Sequence, residues 1–186
     1  MPDSRTRLLD AGLALLGEGG HRAVTVRAAE ERAGLPHGSV RHYFGGRQPF
    51  LVSLVDHTAA VEGAALAEGD PADAVRHWIG PGRNVALARF ELALLAARDP
   101  EVRAAYVAAR EQFIERAGGG AAGRRLVLAV DGLVLDALVR GRIEPEDLLE
   151  ELAALARLAV HSNEARNRAS PACELESEVD LDARST

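Results

Sequence analysis

The chain of 186 residues has no lysine, a single cysteine and few aromatic side chains (4%). With only Cys173 available, no disulfide framework can form within one chain. No stretch approaches the roughly eighteen uninterrupted apolar residues of a membrane helix, and the N-terminal residues lack the apolar segment of a secretory signal. These absences predict a cytoplasmic protein that has no membrane partner.

The motifs of common enzyme classes are missing as well. The sequence contains no Gly-x-Ser-x-Gly elbow, no phosphate-binding loop and no His-Glu-x-x-His zinc motif. His57 follows Asp56 directly, but neither has a nearby motif partner. We therefore expect no catalytic residue, no metal site and no cofactor. Turnover of a general ester panel would be needed to revive the hypothesis of an enzyme.

The charges are distributed unevenly along the chain. Residues 1–50 contain seven Arg and five acidic residues, a net charge of +2, and the other 136 residues contain fifteen Arg and twenty-three acids, a net charge of −8. The two parts add up to the net charge of −6. A mildly basic N-terminal part that also contains His21, His37 and His42 favours contact with an anionic partner there, despite the acidic total.

The apolar spacing is helical nearly throughout, and no period-two strand is convincing. We predict an all-α fold of about nine helices, in which a three-helix helix-turn-helix head precedes a helical ligand-binding and dimerisation body. The predicted boundaries are 1–47 for the DNA-binding head and 48–161 for the regulatory body. The polar segment 162–186 is expected to be a disordered tail.

Capping residues and breakers define the predicted helices. Ser4 is expected to cap a first helix over about 5–17, and Thr25 a second from Val26 to Ala33 that Gly34 ends. Pro36 would open a third helix, which runs to about Phe44. Later breaks predict body helices at about 47–67, 71–80, 84–98, 101–117, 122–140 and 146–160.

The third predicted helix has two different faces. Val40 and Phe44 can pack inward with Leu35, whereas the outward face presents hydrogen-bonding side chains. Such a division is typical of the second helix of a helix-turn-helix, which lies in the major groove of DNA. If the head does not bind DNA, these outward residues are ordinary surface.

The stretch from Val24 to Arg47 resembles the DNA-binding region of the tetracycline-repressor-like (TetR) family. The shared features are Thr-x-Arg at the start of the second helix, Ala-Gly at the turn, Gly-Ser on the recognition helix, an aromatic pair at its end, and a cation three residues after the Phe. The resemblance implies a double-stranded DNA operator as partner. The resemblance and the exposed face of the third helix together imply a set of residues that contact DNA. These are Thr25, Arg27, His37, Gly38, Ser39, Arg41, His42, Tyr43 and Arg47.

The resemblance also suggests individual roles. Thr25 would contact a phosphate from a helix N-terminus, Arg47 corresponds to a phosphate-binding lysine, and Gly38 would let the backbone approach DNA. Arg27 either contacts DNA or pairs with Glu30 or Glu31, three and four residues further on.

Three positions depart from the family pattern, one of which is Arg47, where an arginine replaces the lysine and keeps its charge with a different geometry. Arg41 stands where the family commonly has Tyr, and it could bind a guanine edge or a phosphate. Pro36 stands where the family often has Ser or Thr, so we expect the third helix to begin without a side-chain cap.

The last two predicted helices each have two apolar stripes, which suggests two partners: the core of the body and a second subunit. Deep burial of both helices in a monomer is the alternative. The resemblance implies a four-helix dimer interface, for which we expect Leu126, Val130, Leu133, Ala137, Leu148, Leu152, Leu155 and Ala159.

The resemblance further suggests a pocket for a small-molecule effector in the body. Polar or aromatic residues within aliphatic helices could line it, although each of them could equally be packing or surface. The candidates are His57, Trp78, Asn84, Arg89, Phe90 and Tyr106. Asp136 is four residues before Arg140 and is explained by a surface ion pair, whereas Asp131 could face the subunit interface or a cavity.

Taken together, these features predict a ligand-responsive repressor that binds a palindromic operator as a homodimer. A DNA-binding module without an effector is the second hypothesis, and it predicts that no pocket is present.

Overall fold

The computed structural model describes residues 3–67 and 71–141, together with residues 147, 150, 151, 153 and 154. Within these residues all regular structure is helical, which confirms the prediction of an all-α fold. Most of the predicted last helix (146–160) and the whole tail 162–186 lie outside the described residues. The eight helices are α1 (Ser4–Gly19), α2 (Val26–Ala33), α3 (Ser39–Phe44), α4 (Arg47–Ala67), α5 (Pro71–Ile79), α6 (Arg83–Ala96), α7 (Pro100–Arg116) and α8 (Gly120–Arg140).

Side chains cap the first two helices. The Asp3 carboxylate accepts a hydrogen bond from the Thr6 N–H at 2.7 Å, so Asp3 caps α1 and the predicted cap, Ser4, is wrong by one residue. Both residue types can cap, but Asp3 occupies the extended position just before the helix. Thr25 accepts from the Ala28 N–H at 3.1 Å, and Gly34 ends α2 at a φ of 62°; both predictions are confirmed.

The third helix begins later than predicted. The Pro36 carbonyl accepts a hydrogen bond from the Ser39 N–H at 3.2 Å within a turn, and Gly38 has a φ of 92°. This left-handed residue interrupts any helical run from Pro36, so α3 begins at Ser39 and has only six residues. The expectation that Pro36 opens the helix is therefore wrong.

One apolar core joins the first three helices to the body. It contains the fully buried side chains of Leu8 and Leu16 from α1, Val40 from α3, Phe50 from α4 and Leu92 from α6. The head therefore does not bury its apolar surface by itself.

Two glycines of α1 allow the body to approach closely. A Cβ atom built on Gly17 would lie 2.2 Å from the carbonyl oxygen of Asn84, at the start of α6. A Cβ on Gly12 would lie 2.8 Å from the side chains of Phe50 and Leu54 on α4. The absence of side chains at these positions determines how near α1 lies to α6 and α4.

A second apolar cluster holds the far end of the body together. Val75 and Trp78 from α5 pack there with Ala86 from α6 and with Val134 and Leu138 from α8.

Among the described helices, only α4 is long and apolar enough to cross a membrane, with a mean hydropathy of 1.3 over its best window. Its side chains Phe50, Leu51 and Leu54 are buried in the core. A core helix of a globular protein passes the same test, so α4 is not evidence for a membrane span.

Candidate DNA-binding and effector sites

Helix α3, the predicted recognition helix, has the two faces that its sequence predicts. Val40 is completely buried, and Phe44 packs against Phe50 with ring centroids 5.0 Å apart. Arg41, His42 and Tyr43 are exposed on the other side. The rings of His42 and Tyr43 meet edge to face at 4.8 Å, so α3 presents a cation and two aromatic hydrogen-bonding groups to solvent.

Several predicted DNA-contacting residues already have partners within the head. The Ser39 hydroxyl donates to the Pro36 carbonyl at 2.6 Å, and the Thr25 hydroxyl caps α2. Arg27 has a 78% exposed side chain and donates to Glu31 at 2.7 Å. Of the two acidic partners predicted for Arg27, the ion pair therefore forms with Glu31.

Two of the unneutralised cations of the head lie on α3 and shortly after it. Arg41 on α3 and Arg47, the first residue of α4, are exposed and have no ion-pair partner within the described part of the chain. Unpaired guanidinium groups on the short α3 and at the start of α4 are suited to phosphate oxygens. His37 and Gly38 are also exposed, in the turn before α3.

Sequence reasoning missed Glu30, which provides the side-chain cap that α3 is expected to lack. Its carboxylate is 2% exposed, and its Oε1 accepts hydrogen bonds from the N–H groups of Gly38 and Val40, both at 3.0 Å. Its Oε2 lies 3.4 Å from His37 Nδ1. As expected, the N-cap residue Gly38 makes no side-chain hydrogen bond, and the capping bonds come instead from a neighbouring helix. The only sequence signal for these capping bonds is the presence of an acidic residue on the inner side of α2.

Polar contacts connect the head to the body. Glu91 of α6 accepts from the backbone N–H of His21 at 3.0 Å and lies 3.2 Å from its Nδ1. His57 Nε2 lies 2.8 Å from an Asp10 carboxylate oxygen. His57, a candidate pocket residue, therefore faces the head.

A buried cluster of charges joins four helices of the body. The Arg89 Nε donates to Glu62 at 2.7 Å, and both side chains are at least 94% buried. The Arg89 guanidinium also bonds to Asp131, which bonds in turn to Arg110. Asp131, for which the sequence left the interface and a cavity open, thus pairs within the body, with partners 42 and 21 residues away.

Aromatic rings surround Arg89. Its guanidinium carbon lies 4.5 Å from the Phe90 ring centroid and 5.8 Å from that of Trp78. Within the described residues, the Trp78 Nε1 is a buried donor without a hydrogen-bond partner. Of the six candidate pocket residues, Trp78, Arg89, Phe90 and Tyr106 come together here. Asn84 is exposed and lies against Gly17 instead.

Burial changes the titration of this cluster. Removal from water raises the pKa of Glu62 to about 7, even though the positive charge of Arg89 acts in the opposite direction. Burial also raises the pKa of the Tyr106 hydroxyl.

A small cavity adjoins the charges and has mostly apolar walls. It measures about 20 Å³, which is room for about one water molecule. A larger depression of about 270 Å³ lies on the surface beside Arg7, Asp10 and Arg32, but it is open to solvent. The cavity is lined by Val55, Thr58, Ala59, Glu62, Arg89, Leu92, Tyr106, Ala109, Arg110 and Phe113.

The surface of α8 has an exposed apolar stripe. Leu128, Leu135 and Val139 are 62%, 42% and 77% exposed, and Gly132 continues their spacing. This stripe differs from the predicted interface residues of α8: Ala137 is buried, Val130 and Leu133 pack on the second apolar cluster, and Leu126 is half-buried. Their contact with a second chain stays a prediction. The other predicted interface residues, Leu148, Leu152, Leu155 and Ala159, lie outside the described residues.

Comparison with known proteins identifies two family models along the chain. Residues 8–54 match the family model described as bacterial regulatory proteins, tetR family, and residues 62–161 match the model described as tetracyclin repressor-like, C-terminal domain. The HTH-type transcriptional repressor KstR of Mycolicibacterium smegmatis is 36% identical over 83 residues, which are 42% of this chain and 41% of KstR. The match thus spans less than half the length of that curated relative.

Solved structures resemble nearly the whole described fold. A TetR-family member from Streptomyces coelicolor A3 superimposes with a TM-score of 0.68 at 24% identity, covering 83% of this chain and 98% of that one, which shows the fold alone. The multidrug binding protein EbrR, complexed with malachite green, superimposes with a TM-score of 0.64 at 25% identity, covering 84% of this chain and 98% of EbrR. The second family model alone matches more than half of the 186 residues. This chain therefore belongs to the TetR family of bacterial regulators.

Proposed function

We propose that this protein is a transcriptional repressor that binds a palindromic operator as a homodimer and releases it when a small molecule binds in the body. The observation that supports DNA binding most directly is the exposed face of α3, where Arg41, His42 and Tyr43 surround a helix held by the buried Val40. In this proposal Arg41, His42 and Tyr43 contact base edges or the adjoining backbone, and Arg47 binds a phosphate.

A pair of heads is needed because one short helix contacts only a few base pairs. Two recognition helices about 34–36 Å apart would match half-sites one turn of DNA apart. The α8 stripe of Leu128, Leu135 and Val139 is apolar and exposed in the single chain. It lies in the part of the chain that matches the C-terminal family model. Both observations support a second copy of the chain as the partner that covers it. The inner side of α8 would then support this stripe through the predicted interface residues Leu126, Val130, Leu133 and Ala137.

The buried charge cluster is the proposed effector site. A ligand that enters between α4, α6, α7 and α8 would have to replace the bonds among Glu62, Arg89, Asp131 and Arg110. Helix α6 contains both Arg89 and Glu91, and Glu91 bonds to the head at His21. A shift of α6 would therefore change the separation of the two heads, and a coupling of about 1–3 kcal/mol would be enough for regulation. The binding of malachite green by EbrR supports a body of this fold as a ligand site.

The cavity's present volume of about 20 Å³ favours the second candidate, a DNA-binding regulator without a small-molecule effector. One experiment distinguishes the two candidates: operator affinity is measured with a panel of lipophilic cations and carboxylates, with malachite green as the first probe. For a ligand-responsive repressor, the cavity opens and operator affinity falls when a ligand is added. For a regulator without an effector, operator affinity is the same with every compound.

Selection of bound duplexes from a random DNA library tests operator binding. The wild type should enrich a palindrome, Tyr43→Ala should change the preferred sequence, and Arg47→Ala should weaken all sequences alike and lower the slope of log affinity against log salt by about 1. Arg76→Ala is the matched control, because Arg76 is an exposed cation of α5 that pairs with Asp73 within the same helix. Failure of the wild type to enrich any sequence at low salt would disprove operator binding, and enrichment of single half-sites would disprove the dimer.

A further inference from the structure

The buried carboxylate of Glu30 joins α2 to the beginning of α3. One of its oxygens accepts two backbone hydrogen bonds at 3.0 Å, from Gly38 and from Val40, and the other faces His37. A buried charge is costly unless it is hydrogen-bonded, and these amides compensate the carboxylate. Because Glu30 is 2% exposed, it reaches α3 from inside the head and offers no surface to DNA.

The backbone of the same residue holds the other end of the turn. The Glu30 carbonyl accepts from the N–H of Leu35 at 2.9 Å and from the N–H of Gly34. Glu30 therefore binds four of the N–H groups between Gly34 and Val40. The turn needs such support because Gly38 is in the left-handed region and α3 has no side-chain cap of its own.

We propose that Glu30 is the positioning residue of the recognition helix and that operator specificity depends on the two hydrogen bonds its side chain accepts. The inference rests on the proposed operator binding. Contacts to base edges require a fixed orientation of α3, whereas contacts of flexible Arg side chains to phosphates tolerate a change in it. Loss of the Glu30 carboxylate should thus remove discrimination between sequences before it removes affinity for DNA in general.

The bonds to Glu30 also determine which groups of α3 can contact DNA. The N–H groups of Gly38 and Val40 are occupied, so they are not free to bind a phosphate. Phosphate contacts near α3 are left to side chains such as Arg41 and Arg47, and neither is bonded to Glu30.

The test compares Glu30→Ala, Glu30→Asp and Glu30→Gln by fluorescence anisotropy. Each is titrated with the operator selected by the wild type and with a scrambled duplex, at one salt concentration. Glu30→Ala should lose about tenfold in affinity for the operator and stay within about threefold of the wild type on the scrambled duplex. Glu30→Asp keeps the charge but is too short to reach both amides, so it should behave similarly.

Glu30→Gln is the rescue variant, because its amide oxygen can accept the same two hydrogen bonds. It should keep the ratio of operator to scrambled affinity within about threefold of the wild type. Glu18→Ala is the charge-matched control: it removes one negative charge from the head at a residue that pairs with Arg32 and not with α3. Its ratio should equal that of the wild type.

Protection of amides in the wild type provides a readout that does not depend on any variant. Hydrogen exchange of the Gly38 and Val40 amides should be slower than that of the exposed His37 amide. The inference is overturned if these two amides exchange as fast as that of His37, if Glu30→Asp keeps the full ratio, or if Glu30→Gln loses it as completely as Glu30→Ala does. Equal loss of affinity for both duplexes would mean that Glu30 only stabilises the head. An absence of any selected operator for the wild type is a separate result, which concerns the proposed function itself.

Discussion

Replacement of Glu62 by Gln should remove a pH dependence of stability that the buried cluster builds into the body. Burial holds the pKa of Glu62 at about 7, against an ordinary value of 4.5. Below about pH 4.5 the carboxyl is protonated in both states and contributes nothing. Between pH 4.5 and 7 the unfolded chain releases the proton while the folded chain keeps it, so the free energy of unfolding falls as the pH rises.

The size of the effect follows from the shift. One pKa unit corresponds to about 1.4 kcal/mol, so a shift of this size would cost up to about 3 kcal/mol once the pH exceeds 7. Gln has nearly the same volume, does not titrate, and can still accept a hydrogen bond from Arg89. The stability of Glu62→Gln relative to the wild type should therefore increase by up to about 3 kcal/mol from pH 5 to pH 8.

Urea unfolding of both proteins at pH 5, 6, 7 and 8, at equal protein concentration, measures this difference. The difference between the two proteins is the relevant quantity, because the contributions of all groups that the two proteins share cancel in it. Glu31→Gln is the control: Arg27 lowers the pKa of this exposed acid, so its replacement should produce no such increase. A pH-independent difference between Glu62→Gln and the wild type would refute the reasoning and would mean that the ion pair with Arg89 outweighs the cost of burial.

Three further predictions concern packing, assembly and capping. Gly17→Ala should destabilise the protein by about 1–3 kcal/mol despite the better helix propensity of Ala, because its Cβ would meet the backbone of Asn84; the midpoint of urea unfolding measures this, and an unchanged midpoint would contradict the close packing of α1 on α6. The double replacement of Leu135 and Val139 by Ser should shift the protein from dimer to monomer in analytical ultracentrifugation while helicity in circular dichroism is unchanged, and a dimer of wild-type affinity would exclude this stripe as the interface. Asp3→Ala should lower the melting temperature by about 2–4 °C through loss of the α1 cap, whereas an unaltered melting curve would show that this cap contributes nothing.

The parts of the fold that depend on local chemistry could be predicted from the sequence. Thr25 and Gly34 begin and end α2 because a cap and a left-handed glycine act on residues within the same turn. The inward position of Val40 also followed from spacing alone. Even locally, two adjacent residues that can both cap, Asp3 and Ser4, could not be distinguished.

The parts that depend on contacts between helices could not be predicted. Glu30 reaches amides eight and ten residues away, and Arg89 reaches Asp131 across 42 residues, so no periodicity reveals either contact. In α8 two apolar stripes are visible in the sequence, but which residues face the body depends on the neighbours α5 and α6. The structure exposes Leu135, which belongs to none of the predicted stripes.

The shared core limits how such a regulator can be re-engineered. Because Leu8 and Leu16 are buried against Phe50 and Leu92, a cut at Arg47 would leave apolar surface on both fragments, and the head is not a cassette that can be moved between proteins. A chimera with a foreign head would have to reproduce the contact of Gly17 with α6 as well. New operator preferences are better obtained by changing the outward side chains of α3 one at a time, since these have little part in holding the two halves together.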